Sequence, residues 1–157
     1  MRKITSAIFL FLGLILNGCD QFYAGDGVKP KFMENSNVAV TSRCSIDAAE
    51  LRRNGDAGSY AGYVGGWIAS DGLDISPSEI YVSVDDGVDL KYFIAKSFQS
   101  DDLVKAFNSP GLNNARFNSN FNMKGAAVTV GVVANVGGVP VVCDKSKKLD
   151  ASIVQGN

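Results

Sequence analysis

Apolar and polar positions alternate in short runs through most of this chain, and turn residues separate the runs. The cleanest run is 79–84, where Ile80, Val82 and Val84 alternate with Glu79, Tyr81 and Ser83. This is the period of a half-buried strand. Asp85-Asp86-Gly87 behind it is a hairpin signal, so residues 90–98 are expected to return as the next strand. Residues 60–69 alternate too, with Tyr63, Gly65 and Trp67 on one face and Val64, Gly66 and Ile68 on the other. The pair Gly65-Gly66 inside a strand predicts a bulge or a close backbone approach, with room for an aromatic ring above it. In 117–123, Phe117, Ser119, Phe121 and Met123 oppose Asn118, Asn120 and Asn122, a strand with one apolar and one amide face. Residues 127–134, apolar apart from Thr129, predict a buried strand, and 139–143 follow the turn Val136-Gly137-Gly138.

Two other stretches read differently. Residues 37–44 are rich in β-branched side chains and are expected to form the first strand. In 45–54, Ser45 stands as a cap, Asp47 and Glu50 come early, Arg52 and Arg53 late, and Gly55 follows as a stop. A short helix is expected there, with a long polar loop as the alternative. Ser100-Asp101-Asp102 predicts the capped start of a second short helical turn over 103–107. The sum is an all-β chain, expected as an immunoglobulin-like antiparallel β-sandwich of about seven strands with one or two short helices in its connections. A closed barrel is the other arrangement of such strands.

The ends are unlike the middle. Arg2 and Lys3 precede an apolar run from Ile4 to Leu16, and small Gly18 precedes Cys19. That is the order of a secretory leader, and the run is short of the roughly 20 apolar residues of a bilayer-spanning helix. The expected organisation is a leader over 1–18, a flexible tether over 19–36, a β-sandwich domain over 37–144 and a loosely held tail over 145–157.

Leu16-Asn17-Gly18-Cys19 resembles the lipobox of bacterial lipoproteins. The resemblance implies that Cys19 becomes the acylated first residue of the mature chain, and two or three acyl chains make such an anchor effectively permanent. An ordinary secretory leader with an incidental Cys19 is the plain alternative. The expected location is thus the membrane surface facing the periplasm or cell exterior, at the inner or the outer membrane, and Asp20, which resembles the inner-membrane retention signal of enteric lipoproteins, favours the inner one. Export also bears on the remaining cysteines: in an oxidising compartment Cys44 and Cys143 are expected to pair and tie the first strand to the last, the alternative being two buried thiols.

Composition narrows the chemistry. Removing Arg2 and Lys3 from 15 Lys+Arg leaves 13 against 16 Asp+Glu, a mature net charge of −3 with no basic block. Nucleic acid and anionic lipid surfaces are poor partners for such a chain. It contains no histidine, which removes Ser-His and Cys-His nucleophile systems and histidine-bearing zinc sites. No motif calls for a cofactor. Up-and-down strands would bring Asp71 and Asp74 to one end of the sandwich with Asp101 and Asp102, a weak calcium candidate; solvated loop acids are the plain reading. Asp85, Asp86 and Asp89 fall at the other end.

Tyr81, on the polar side of its strand, and the amide face Asn118, Asn120 and Asn122 are the candidate ligand contacts. Trp67 with Tyr60, Tyr63 and Tyr92 offers further stacking surface, although a lone tryptophan in a sandwich usually plugs the core. The expected function is a membrane-anchored, non-catalytic binding module for an envelope protein or glycan. A structural subunit of an envelope complex, or a phage-exclusion or inhibitor lipoprotein, is the alternative, and a carboxylate-based hydrolase comes third.

Overall fold

Each alternating run becomes a strand. A computed structural model describes residues 27–34, 37–55 and 58–151. Its strands are β1 (Ala39–Thr41), β2 (Cys44–Arg53), β3 (Tyr60–Ile68), β4 (Glu79–Asp85), β5 (Leu90–Phe98), β6 (Arg116–Met123), β7 (Ala127–Val136), β8 (Val139–Cys143) and β9 (Lys147–Asp150). One α-helix, α1 (Asp101–Phe107), follows β5, and 3-10 turns lie at Lys31–Met33 and Pro110–Leu112. The protein is mostly β.

The strands hydrogen-bond in the order β1-β8-β7-β4-β5-β6-β3-β2, with β9 on β7. Among the described strands only β1 and β8 run parallel, so the sheet is mixed. Two corners curl it. β5 pairs with β4 through Leu90 to Ala95 and with β6 through Lys96 to Phe98, and so belongs to both layers. At the other side β1 ends at Thr41 on β8 while β2 begins at Cys44 on β3, so the two ends of the ladder are consecutive pieces of chain. Curling the sheet puts one face inside. Ile80, Val82, Val84, Phe93, Val64, Ile68, Phe117, Phe121, Val130 and Val132 fill it as one buried cluster.

The expected bridge is present: Cys44, at the start of β2, is bonded to Cys143, at the end of β8, with 5.8 Å between their Cα atoms. It fastens the seam where the curled ladder meets itself.

Three expectations change. Residues 45–54 are strand rather than helix or loop: β2 pairs along the whole of β3, with a bulge between Ile46 and Ala48. Its core-facing residues are Cys44, Ile46, Ala49 and Leu51. The bulge makes one step of three among steps of two, which imitates helical spacing, and a full ladder outweighs the few tenths of a kcal/mol per residue by which this composition favours helix.

The supposed tail is the second change. β9 extends the sheet along β7, and Leu149 is buried in the core. Ile153 and Val154 lie outside the described residues. The third is the tether. Residues 27–34 lie against the domain: the Tyr92 amide donates to the Gly27 carbonyl at 3.4 Å, Pro30 is buried, and the Phe32 ring packs on Tyr81 at 5.9 Å between centroids.

The glycine pair behaves as its position in a strand requires. A Cβ on Gly66 would stand 2.0 Å from the Ser45 carbonyl oxygen, where the bulged β2 presses on β3.

Candidate binding faces

The curled sheet has two outward faces, and the candidate contacts are divided between them. Tyr81 belongs to the face of β4 and β5, whereas Asn118, Asn120 and Asn122 belong to β6 on the other layer. The structure therefore does not bring them together.

On the layer formed by β2, β3 and β6, register places outward side chains in rows. Glu50, Tyr63 and Asn120 are level with one another, then Ala48, Gly65 and Asn118, then Ser45, Trp67 and Arg116. Lys96 and Phe98 extend the last two rows from β5. Gly65 has a specific effect here. Tyr63 leans along its own strand until its hydroxyl lies 2.8 Å from where a Gly65 Cβ would be. The missing side chain gives the tyrosine a flat bed, with the Asn118 and Asn120 amides on the neighbouring strand.

Trp67 corrects an expectation. It faces out of the sheet and packs on Phe107 of α1 at 5.1 Å between ring centroids, over a small cluster of Ala69, Leu103, Leu112 and Ala115. The same end carries two arginines. The Arg43 guanidinium sits 5.1 Å over the Phe107 ring, donates to the Ser70 carbonyl at 3.0 Å and pairs with Asp74 at 2.9 Å. Arg116 pairs with Asp47 at 2.9 Å and with Asp102, and its Nε donates to Ser100 Oγ at 3.0 Å. Ser100 in turn donates to Asp102 rather than capping α1.

This accounts for much of the aspartate set expected at that end. Asp74 is held by Arg43, Asp102 by Arg116 and Ser100, and Asp71 accepts from the Thr41 hydroxyl at 2.9 Å. Among the described residues, Asp71, Asp74, Asp101 and Asp102 do not converge as ligands; the single converging group is Cys44, Cys143 and Asp144. Two of its sulfurs are already joined to each other, so it offers one exposed carboxylate and no thiolate.

Among the described residues, the two carboxylates whose acidity moves both become stronger acids. Arg116, then Ser100, holds the Asp102 carboxyl well below the usual range, and the Asp89 and Val88 amides lower that of Asp86 in the β4–β5 turn. A general acid needs the opposite shift.

The face of β4, β5, β7 and β8 is covered in part, with Val133 buried and Val40 and Ile94 exposed. Ile94, Tyr81, Val133 and Val142 stand level across it, and Val40 of β1 continues the row. Residues 27–34 cross this row as a strap, with Phe32 on Tyr81 and the 3-10 turn against β8. Val133 and Tyr92 are buried although they point away from the core. Burial raises the Tyr81 and Tyr92 phenols, and the Glu79 charge raises Tyr81 further. The strap contacts and the placing of Tyr63 beside the amide face were the parts least visible in sequence. The largely apolar run 127–134 was the signal that β7 is a buried strand.

Cys19 lies outside the described residues, and no helix among those described is long and apolar enough to cross a membrane. Compared with known protein families and with curated proteins, the sequence matches none.

Proposed function

We propose that this chain is a membrane-anchored, non-catalytic binding module of the cell envelope, held by an acylated Cys19 and recognising a glycan on the open face of β2, β3 and β6. The carrying observation is the Tyr63 ring bedded over Gly65 beside the Asn118 and Asn120 amides. Sugars present a weakly apolar face and a rim of hydroxyls, so a flat aromatic flanked by amides, each both donor and acceptor, matches both parts. Absence of histidine, which removes histidine-based nucleophile systems, supports a non-catalytic role.

The sandwich reading belongs to this proposal. The order β2-β3-β6 with the second half of β5 corresponds to the A-B-E-D sheet of an immunoglobulin domain, and β4-β7-β8 to C-F-G. Docking to an envelope protein is the second reading, supported by exposed Val40 on the short outer strand β1 and exposed Val38 just before it.

The test is titration of the chain, purified from membranes, with envelope-derived oligosaccharides. Saturable binding lost in both Tyr63→Ala and Asn120→Ala is expected; binding indifferent to both substitutions would remove this face from consideration. Mass spectrometry of the same preparation checks for acyl groups on Cys19.

A further inference from the structure

The strap leaves a cleft between itself and the sheet. It has a volume of about 440 Å³ and is lined by Val28, Pro30, Lys29 and Lys31 from the strap and by Glu79, Tyr81, Tyr92 and Ile94 from β4 and β5. That volume lies within the range of small-molecule sites, as does the mixture of aromatic walls with a few charged groups. Lys29 and Lys31 supply two cations and Glu79 one anion, and among the described residues none of the three is ion-paired. Val28 is 69% exposed and Ile94 48%, so the lining also presents apolar surface to whatever enters.

We propose that this cleft receives the headgroup of a zwitterionic phospholipid, with its phosphate against Lys29 and Lys31 and its ammonium against Glu79. The charges argue for a ligand carrying both signs. A mature net charge of −3 gives no long-range attraction to an anionic surface, while a cleft with local cations and a local anion recognises a headgroup of zero net charge. The apolar residues fit the glycerol and upper acyl segments next to such a headgroup.

Chain length argues for a lipid as the source. Gly27 lies eight residues beyond Cys19, so even a fully extended link holds the strap within about 29 Å of an acylated amino terminus. In this respect the inference rests on the proposed anchor. The bound headgroup would turn the β4–β5 face toward the membrane and leave the Tyr63 face of the opposite layer pointing away from it.

The experiment uses the chain purified from membranes in a nonionic detergent, with the Tyr81 and Tyr92 ring signals followed by NMR. Three soluble probes are added: glycerophosphoethanolamine, glycerophosphoglycerol and inorganic phosphate. Glycerophosphoethanolamine is expected to shift both rings saturably. Glu79→Gln should weaken that probe about tenfold, the worth of one charge-assisted hydrogen bond, without weakening glycerophosphoglycerol. Lys29→Gln with Lys31→Gln should weaken both. All three side chains are outside the core, so an unchanged urea midpoint is the control for folding. No saturable shift, an equal response to inorganic phosphate, or indifference to Glu79→Gln would each overturn the proposal. Headgroup recognition is read here with soluble probes, so failure of the Cys19 anchor, seen by mass spectrometry, remains a separate result.

Discussion

The two outward faces of this sheet are built from the same kind of strand and end in different states. On β4 and β7 the row Tyr81, Val133 is apolar, and the strap covers it. On β3 and β6 the row Tyr63, Asn120 is mixed, and Asn120 stays exposed. The comparison teaches that a sheet's outer face is decided by what the rest of the chain lays on it. Apolar side chains at period one, as in Val132-Val133, call for a cover; amides at period two do not.

The largest test removes what both faces share. Phe121 lies beneath Gly62 of the open layer and packs on Phe93 of β5 at 5.5 Å between centroids, so Phe121→Ala should cost about 3–5 kcal/mol in urea unfolding and loosen both faces together. Loss confined to one face would mean that the layers fold separately. Replacing Cys44 and Cys143 together by serine opens the seam. For a bridge spanning 99 positions we expect a loss of about 2–5 kcal/mol, seen equally on reduction of the native protein.

Two smaller changes separate the faces. Phe32→Ala removes the ring contact with Tyr81, worth about 0.5–1.5 kcal/mol beyond its buried area. Hydrogen exchange at the Tyr92 amide should accelerate while amides of β3 and β6 keep their protection; uniform acceleration would show that the strap is integral to the core. Gly65→Ala acts on the other side. Its Cβ meets only the far end of the Tyr63 side chain, so stability should change by less than about 1 kcal/mol while oligosaccharide binding falls.

The smallest effect is one of pH. The folded Asp102 carboxyl is more acidic than the unfolded one, so its contribution is complete above about pH 4 and lost as pH falls toward the folded value. Asp102→Asn should flatten the acid limb of a stability profile; an unchanged limb would mean that the Arg116 pair contributes nothing in solution.

Much of the fold was legible from alternation alone. Strands β3 to β8, the β4–β5 turn, α1 and the close approach at Gly66 all followed from local pattern, and the pairing of Cys44 with Cys143 from the expectation of an exported chain acylated at Cys19. β2 was misread because a bulge alters the spacing by one residue. β9 and the strap were misread because short polar segments carry too few apolar residues to announce a docking site. Of the candidate contacts, the amide face, the stacking residue Tyr63 and an aromatic ring over Gly65-Gly66 were visible in sequence, but their shared surface was not: Tyr63 rather than Tyr81 lies beside Asn118 and Asn120.

By itself the sequence determined most of the extended runs and which side of each is apolar, because side-chain period is a property of the chain read in order. Tertiary structure alone decided that β5 joins two layers, that residues 27–34 cover one of them and that Tyr63 meets Asn120 while Tyr81 meets Phe32. Those relations depend on strand order and register between segments far apart in the chain, and no local pattern encodes them.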